Sequence, residues 1–273
     1  MKIRSTVICL LALAAAATAL PAEAAGRPAS IACPSNVCQV VARDLGQTEN
    51  AVEDGQGGLL LSASNGTLRR LVLATGKVST VATGLGNLRG LAADGQGNAF
   101  VASFDGSLQK VNVATGATST VFRTGTALIA VASAGGSTYV TSHGGQLWEI
   151  RDGQAPRSVT TGLGYTDTIA LDGRGNAFTA DMMTQRIQRT NLATGATTLI
   201  ATTTYEMTSL AFGPDGNLYF DLGGDVWRLN PVSGQKAPIA SLPTGTFYWD
   251  LAADGSIYTP NSTIHRITGV TTL

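Results

Sequence analysis

Residues 88–122 read LRGLAADGQGNAFVASFDGSLQKVNVATGATSTVF. They hold four short runs rich in β-branched, aromatic and aliphatic residues: Leu88 to Ala93, Asn98 to Ser103, Ser107 to Val113 and Thr118 to Phe122. Gly, Asp and Thr-Gly punctuation bounds each run, which is the pattern of strands joined by tight turns. The unit recurs. Ala74-Thr75-Gly76, Ala114-Thr115-Gly116, Ala193-Thr194-Gly195 and Val232-Ser233-Gly234 lie 40, 79 and 39 residues apart, and a period near 40 marks a propeller or solenoid. The turn Asp54-Gly55-Gln56-Gly57 returns as Asp94-Gly95-Gln96-Gly97, Asp172-Gly173-Arg174-Gly175, Pro214-Asp215-Gly216 and Asp254-Gly255. Only the third repeat, around Ala134-Gly135-Gly136, departs from it.

The first strand of each unit carries the packing logic. Ala51, Leu91, Ala130, Ile169, Leu210 and Leu251 are each followed by Val52, Ala92, Val131, Ala170, Ala211 and Ala252. Neighbouring residues on a strand face opposite sides, so both sides are apolar, as for strands clamped between two blades. The second set is small because blades converge towards an axis. The expected fold is therefore all-β: a six-bladed propeller of four-stranded antiparallel blades, spanning residues 38–273. Its last repeat, Phe247 to Gly269, lacks a fourth strand. Cys38-Gln39-Val40-Val41-Ala42-Arg43 resembles Lys77-Val78-Ser79-Thr80-Val81-Ala82 and supplies that strand from the other end of the chain. Radial closure of this kind removes exposed sheet edges.

Lys2 and Arg4 precede an apolar run from Val7 to Leu20, and Ala22-Glu23-Ala24 offers a small-residue cleavage site. Residues 1–24 thus read as a signal peptide, and the mature protein is expected in a secreted or periplasmic compartment. Cys33 and Cys38 stand in one short loop of the 25–37 segment and its border. In an oxidising compartment they read as a disulfide pinning that latch, and a zinc site would need two more soft ligands nearby. With 18 Lys+Arg against 18 Asp+Glu, the chain has no basic footprint for nucleic acid and no polybasic stretch for an anionic membrane. No later run approaches a membrane span. A monomer with a small-molecule partner is the expectation.

The repeats resemble those of NHL-type and gluconolactonase-like propellers, the latter including the senescence-marker-protein and paraoxonase-related lactonases. The likeness rests on Gly90-Leu91-Ala92-Ala93-Asp94-Gly95, on Leu210 to Phe220 and on Val226-Trp227-Arg228-Leu229-Asn230-Pro231. It covers nearly the whole mature chain, and it speaks for fold more than for chemistry. In the gluconolactonase-like family a divalent cation, usually calcium, sits at the channel mouth, held by side chains that begin the innermost strands. The matching positions here, blade by blade, are Glu49, Arg89, Leu128, Asp167, Thr208 and Trp249. The resemblance makes Glu49 and Asp167 the candidate metal ligands, with Thr208 and waters completing the shell and Asp250 an outer helper. Leu128 and Thr208 stand where the family carries amide or acidic groups.

Arg89 in the same ring competes with a cation for these carboxylates. Three readings follow: an ion-paired plug of Glu49, Arg89 and Asp167, a catalytic or substrate-binding cluster, or a bound calcium. In the catalytic version Glu49 or Asp167 acts as general base and Arg89 stabilises a developing anion. The loops after the return strands hold Asn65, Asp105, His143, Asp181, Met182, Met183, Asp225 and Asn261, which should share the face of Glu49 and Asp167. His143 is the near-neutral proton carrier among them, set against its reading as a plain surface loop residue. Trp249, Thr208, Asp181 and Asp250 complete the candidate substrate-binding set, Trp249 either stacking on a ligand or filling the axis. No G-x-S-x-G elbow, phosphate loop or cysteine cluster is present. The leading expectation is a small-molecule site that hydrolyses a lactone or ester, and the rival is a non-catalytic binding or sensor propeller. A streptogramin-type lyase is more distant, because that family is generally seven-bladed.

Overall fold

The computed structural model describes residues 38–242 and 248–272. The segment 1–24 lies outside them, as does the whole of the 25–37 segment with Cys33. The described strands form six four-stranded antiparallel sheets. Blades one to five each use four consecutive strands, beginning with Asn50–Glu53, Leu88–Ala93, Leu128–Ala134, Thr166–Leu171 and Leu210–Phe212. Blade six combines Asp250–Leu251, Ile257–Thr259 and Ile264–Ile267 with Cys38–Ala42 from the start of the described chain. Cys38 pairs with Ile267 and Val40 with His265, so the ring closes as the repeat pattern predicts.

Six hydrophobic clusters hold the ring, one at each blade interface. Leu91, Val101 and Val111 of blade two, for instance, pack with Leu60 and Leu68 of blade one, and Ala170 and Phe178 of blade four pack with Leu218 and Phe220 of blade five. No single blade could bury both faces alone, which is why both sides of the inner strands are apolar in sequence.

The repeated markers have separate physical reasons. Asp54 accepts the backbone N–H groups of Gln56 and Gly58, Asp94 those of Gln96 and Asn98, and Asp172 those of Arg174 and Asn176. Each carboxylate therefore staples the turn between the first two strands, a use suited to Asp. Blade three does without it, since Gly135 and Gly136 both adopt positive φ, 58° and 76°, and make the hairpin turn themselves. The Ala-Thr-Gly marker has another origin. Gly116 and Gly195 have φ of 72° and 74°, and a Cβ on either would collide with the backbone carbonyl of Val81 or Val159 in the outer strand of the preceding blade. Only glycine lets that turn dock so closely.

Candidate functional site

An axial cavity of about 410 Å³ runs between the innermost strands, within the range of small-molecule sites. Val52, Ala92, Val131, Ala170 and Ala211 line its shaft, and Asn50, Arg89, Asp167, Thr208, Tyr248 and Trp249 lie towards its mouth. The ends of the second strands face the same way, because Ser62 pairs with Asn50, Ser103 with Leu88, Ser142 with Leu128 and Asp181 with Thr166. Loops following these ends therefore rim the mouth.

Local backbone irregularity aims the two charges of the mouth. In blade two Leu88 pairs with Ser103 and Gly90 with Ala102, leaving Arg89 as the extra residue of a bulge. In blade four Thr166 pairs with Asp181 and Thr168 with Ala180, so Asp167 is the extra residue there. A bulge turns a side chain out of the alternating pattern and is a common device beside functional sites. Blade one has no bulge at this level. Asn50 lines the cavity and Glu49 does not; its N–H donates to the Ser62 carbonyl at 2.8 Å. In blade three Leu128 is fully buried between blades two and three, and Ile129 takes the place on the wall.

Arg89 and Asp167 meet across the axis, Nη2 to Oδ1, at 3.9 Å. Tyr248 from blade six donates its hydroxyl to Asp167 Oδ2 at 3.2 Å and accepts from Arg89 Nη2 at 3.5 Å. The Arg89 guanidinium carbon also lies 4.9 Å from the Phe104 ring centre and 5.8 Å from that of Tyr248. Tyr248 holds φ at 53°, a left-handed conformation unusual for a bulky residue. The Asp167 side chain is 1% exposed, and its Oδ1 has no hydrogen-bond donor. Burial raises its pKa, Arg89 and the Tyr248 hydroxyl oppose that rise, and Glu206 adds to it.

The remaining candidates have narrower roles. Thr208 donates its hydroxyl and its N–H to Asp221, which also takes the Ser209 N–H. Asp181 accepts N–H groups from Tyr165, Met183 and Thr184 and the Thr184 hydroxyl, so its oxygens are engaged in shaping the rim. His143 is exposed and sits edge-on to Tyr165 at 4.5 Å. Trp249 is buried on the cavity wall, its backbone N–H donating to Ser209 Oγ. Sequence offsets miss Tyr248, Phe104, Asn50 and Asp221. Phe104 adjoins Asp105 in a rim loop already singled out, whereas Tyr248 carried no repeat signal.

Asp250, half-buried, lies on the wall of the same cavity. Burial drives its pKa to about 7, helped by the charge of Glu53 and opposed by N–H groups of Leu251 and Glu53. A carboxyl whose folded pKa is raised contributes stability that is fully present below its unfolded pKa and fades as pH climbs towards the folded value. Asp250→Asn is therefore expected to melt a few degrees above the parent at pH 8 and to lose that lead at pH 4, measured by thermal unfolding. An equal offset at both pH values would refute the assignment.

A calcium ion, which wants roughly six to eight oxygens, does not fit this donor set. Asp167 shares its mouth position with a guanidinium, Glu49 is off the cavity wall, and the Thr208 hydroxyl is given to Asp221. Among the described residues no three His, Cys, Asp or Glu side chains converge.

No protein-family profile matches this sequence, and no curated protein matches it. Solved structures do match. A gluconolactonase from Xanthomonas campestris superposes with a TM-score of 0.73 at 12% identity, covering 84% of this chain and 88% of that one. The chain shares its fold with gluconolactonases. Virginiamycin B lyase from Staphylococcus aureus matches at 0.65 and 14% identity over 85% and 99% of the two chains. The WD40 propeller domain of Doa1 gives 0.64 and 13%, over 85% and 96%. At such identities the likeness is one of fold, and a shared fold does not carry a shared chemistry.

Proposed function

We propose that the channel mouth binds a small organic molecule and hydrolyses a lactone or ester there, using Asp167, Arg89 and Tyr248 with no metal ion in the step. The observation that carries this is the buried Asp167 carboxyl set against Arg89 and the Tyr248 hydroxyl beside a cavity of about 410 Å³. Ionised Asp167 takes a proton from water as the water oxygen bonds to the substrate carbonyl carbon. Arg89 holds the oxyanion. The carbonyl then re-forms, the ring or ester C–O bond breaks, and the departing alkoxide takes the proton from Asp167. Exposed Phe104 and the Tyr165 and His143 rings at the rim would cover the substrate's apolar part.

Base function needs the ionised carboxylate, whose pKa is raised. The acid limb of the rate profile should therefore lie above the ordinary carboxylate range, and turnover should survive EDTA. A screen of lactones and aryl esters from pH 4 to 9 checks both. Loss of activity with EDTA, restored by calcium, would refute the metal-free step.

The second reading, a non-catalytic binding propeller, is favoured by the pairing of Asp167 with Arg89, which quenches the base in the absence of ligand. It predicts ligand-induced stabilisation that His143→Ala weakens, and no turnover of any ester. On either reading we take the chain to be exported, cleaved after residue 24 and closed by a Cys33–Cys38 disulfide, acting as a monomer. Intact mass of the secreted protein without reductant checks cleavage and disulfide together.

A further inference from the structure

The surroundings of the Arg89 guanidinium are those a free organic cation would seek. Phe104 offers a ring face at 4.9 Å and Tyr248 another at 5.8 Å, and the Asp167 carboxylate lies beneath at 3.9 Å. Aromatic faces grouped around a buried carboxylate are the chemistry of ammonium and guanidinium recognition. The walls come from blades two, four and six, whereas Arg89 is contributed by blade two alone. Burial works against its charge, but Tyr248, Asp167, Tyr165 and Glu49 together more than offset that and hold its pKa above the usual value.

Arg89 fills this enclosure loosely. Its contacts to Asp167 and Tyr248, at 3.9 and 3.5 Å, are long, and no bidentate fork forms. Asp167 Oδ1 keeps no hydrogen-bond donor although its side chain is 1% exposed. A guanidinium that had shaped the enclosure would be expected to use that oxygen, because planar two-point pairing is its strongest contact with a carboxylate.

We propose that the channel mouth is a receptor for organic cations of the alkylguanidinium and alkylammonium class, and that Arg89 is its tethered occupant. The proposal rests on this geometry and is independent of the hydrolytic reading. A tether places its cation in the receptor at an effective concentration of about millimolar or above, so free cations at lower concentration are kept out of the intact protein. Calcium is a poor substitute, because aromatic faces give a hard cation none of the oxygens it needs.

The test is thermal unfolding and calorimetric titration of Arg89→Ala with methylguanidinium chloride, with potassium chloride at equal ionic strength and the parent protein as controls. Arg89→Ala should melt several degrees lower than the parent. Methylguanidinium at tens of millimolar, a concentration of about that order being set by the tether it replaces, should recover at least half of the loss, and potassium none. The parent should not respond. Adding Tyr248→Leu to Arg89→Ala should abolish the recovery. If Arg89→Ala does not fold, Arg89→Met keeps the stem and serves in its place. The proposal is overturned if methylguanidinium stabilises the variant no more than the parent, or if calcium stabilises it better. Ester turnover by the parent, measured alongside, separates the two readings. Turnover without rescue removes the receptor and leaves hydrolysis standing; rescue without turnover does the reverse.

Discussion

Asp167→Asn is expected to lower lactone or ester turnover by about 10²–10⁴-fold, the usual contribution of a positioned general base. Asparagine keeps the shape and can still accept the Tyr248 hydroxyl, so the fold should be untouched. Indeed, burial of the carboxyl works against its ionised form, and a neutral amide removes that cost. The variant's melting temperature at pH 7 should therefore equal or exceed the parent's. Arg89 loses its partner but is 24% exposed and can turn to water. Glu49→Gln is the control, since Glu49 lies off the cavity wall, and its turnover should stay within a few-fold of the parent. Equal losses in the two variants would mean that the base has been misassigned.

Glu149→Ala should have the largest effect on stability. Glu149, in the third strand of blade three, is 5% exposed. Its carboxylate receives the Ser137 and Tyr139 hydroxyls at 2.9 and 3.0 Å, and Arg151 and Arg157 at 2.7 and 2.5 Å. Arg157 in turn donates to the Leu192 carbonyl of blade four, which makes Glu149 the centre of an inter-blade network. Breaking a buried pair costs about 3–5 kcal/mol. Both arginines are about half exposed, 49% and 45%, and solvent screening lowers the expectation to about 3 kcal/mol. That corresponds to roughly 6–12 °C in melting temperature for a domain of this size. Glu149→Gln, still able to accept the hydroxyls, should fall between. Burial acts to raise the Glu149 pKa, but Arg157, Ser137 and Tyr139 outweigh it and hold the pKa low. The stabilisation is thus present above the ordinary carboxylate pKa and lost as pH falls through the depressed value. A Glu149→Ala protein that melts within 2 °C of the parent, a shift of about 1 kcal/mol or less, would contradict this account.

Blade three also shows how the repeat could bend without breaking. Its first turn lacks the Asp staple, two positive-φ glycines replace it, and the buried carboxylate comes from Glu149 on another strand. The repeat signal fades there because the physical task was met by different residues.

At the mouth, Asp167 and Arg89 were legible as charges at corresponding offsets in otherwise apolar strands, and they do meet. Glu49 and Leu128 occupy the same offsets but stay off the cavity wall. Blade one has no bulge there, so Asn50 faces the cavity and only the charge of Glu49 reaches Arg89. Blade three is bulged between Leu128 and Val131, but its shorter hairpin moves the offset by one, so Ile129 takes the wall. Tyr248 could not be read at all, and Phe104 only as the neighbour of Asp105 in a rim loop. Neither repeats, and their value lies in approaching Arg89, Tyr248 from 159 residues away along the chain.

The sequence by itself determined six blades, their strand order and the closing of blade six by Cys38–Ala42. Those features follow from turn chemistry and from apolar periodicity, which act within a few residues and repeat every 40. Only the tertiary structure decided which side chains share the mouth. That depends on bulges and on distances between blades, set by how six separate hydrophobic interfaces pack around one axis.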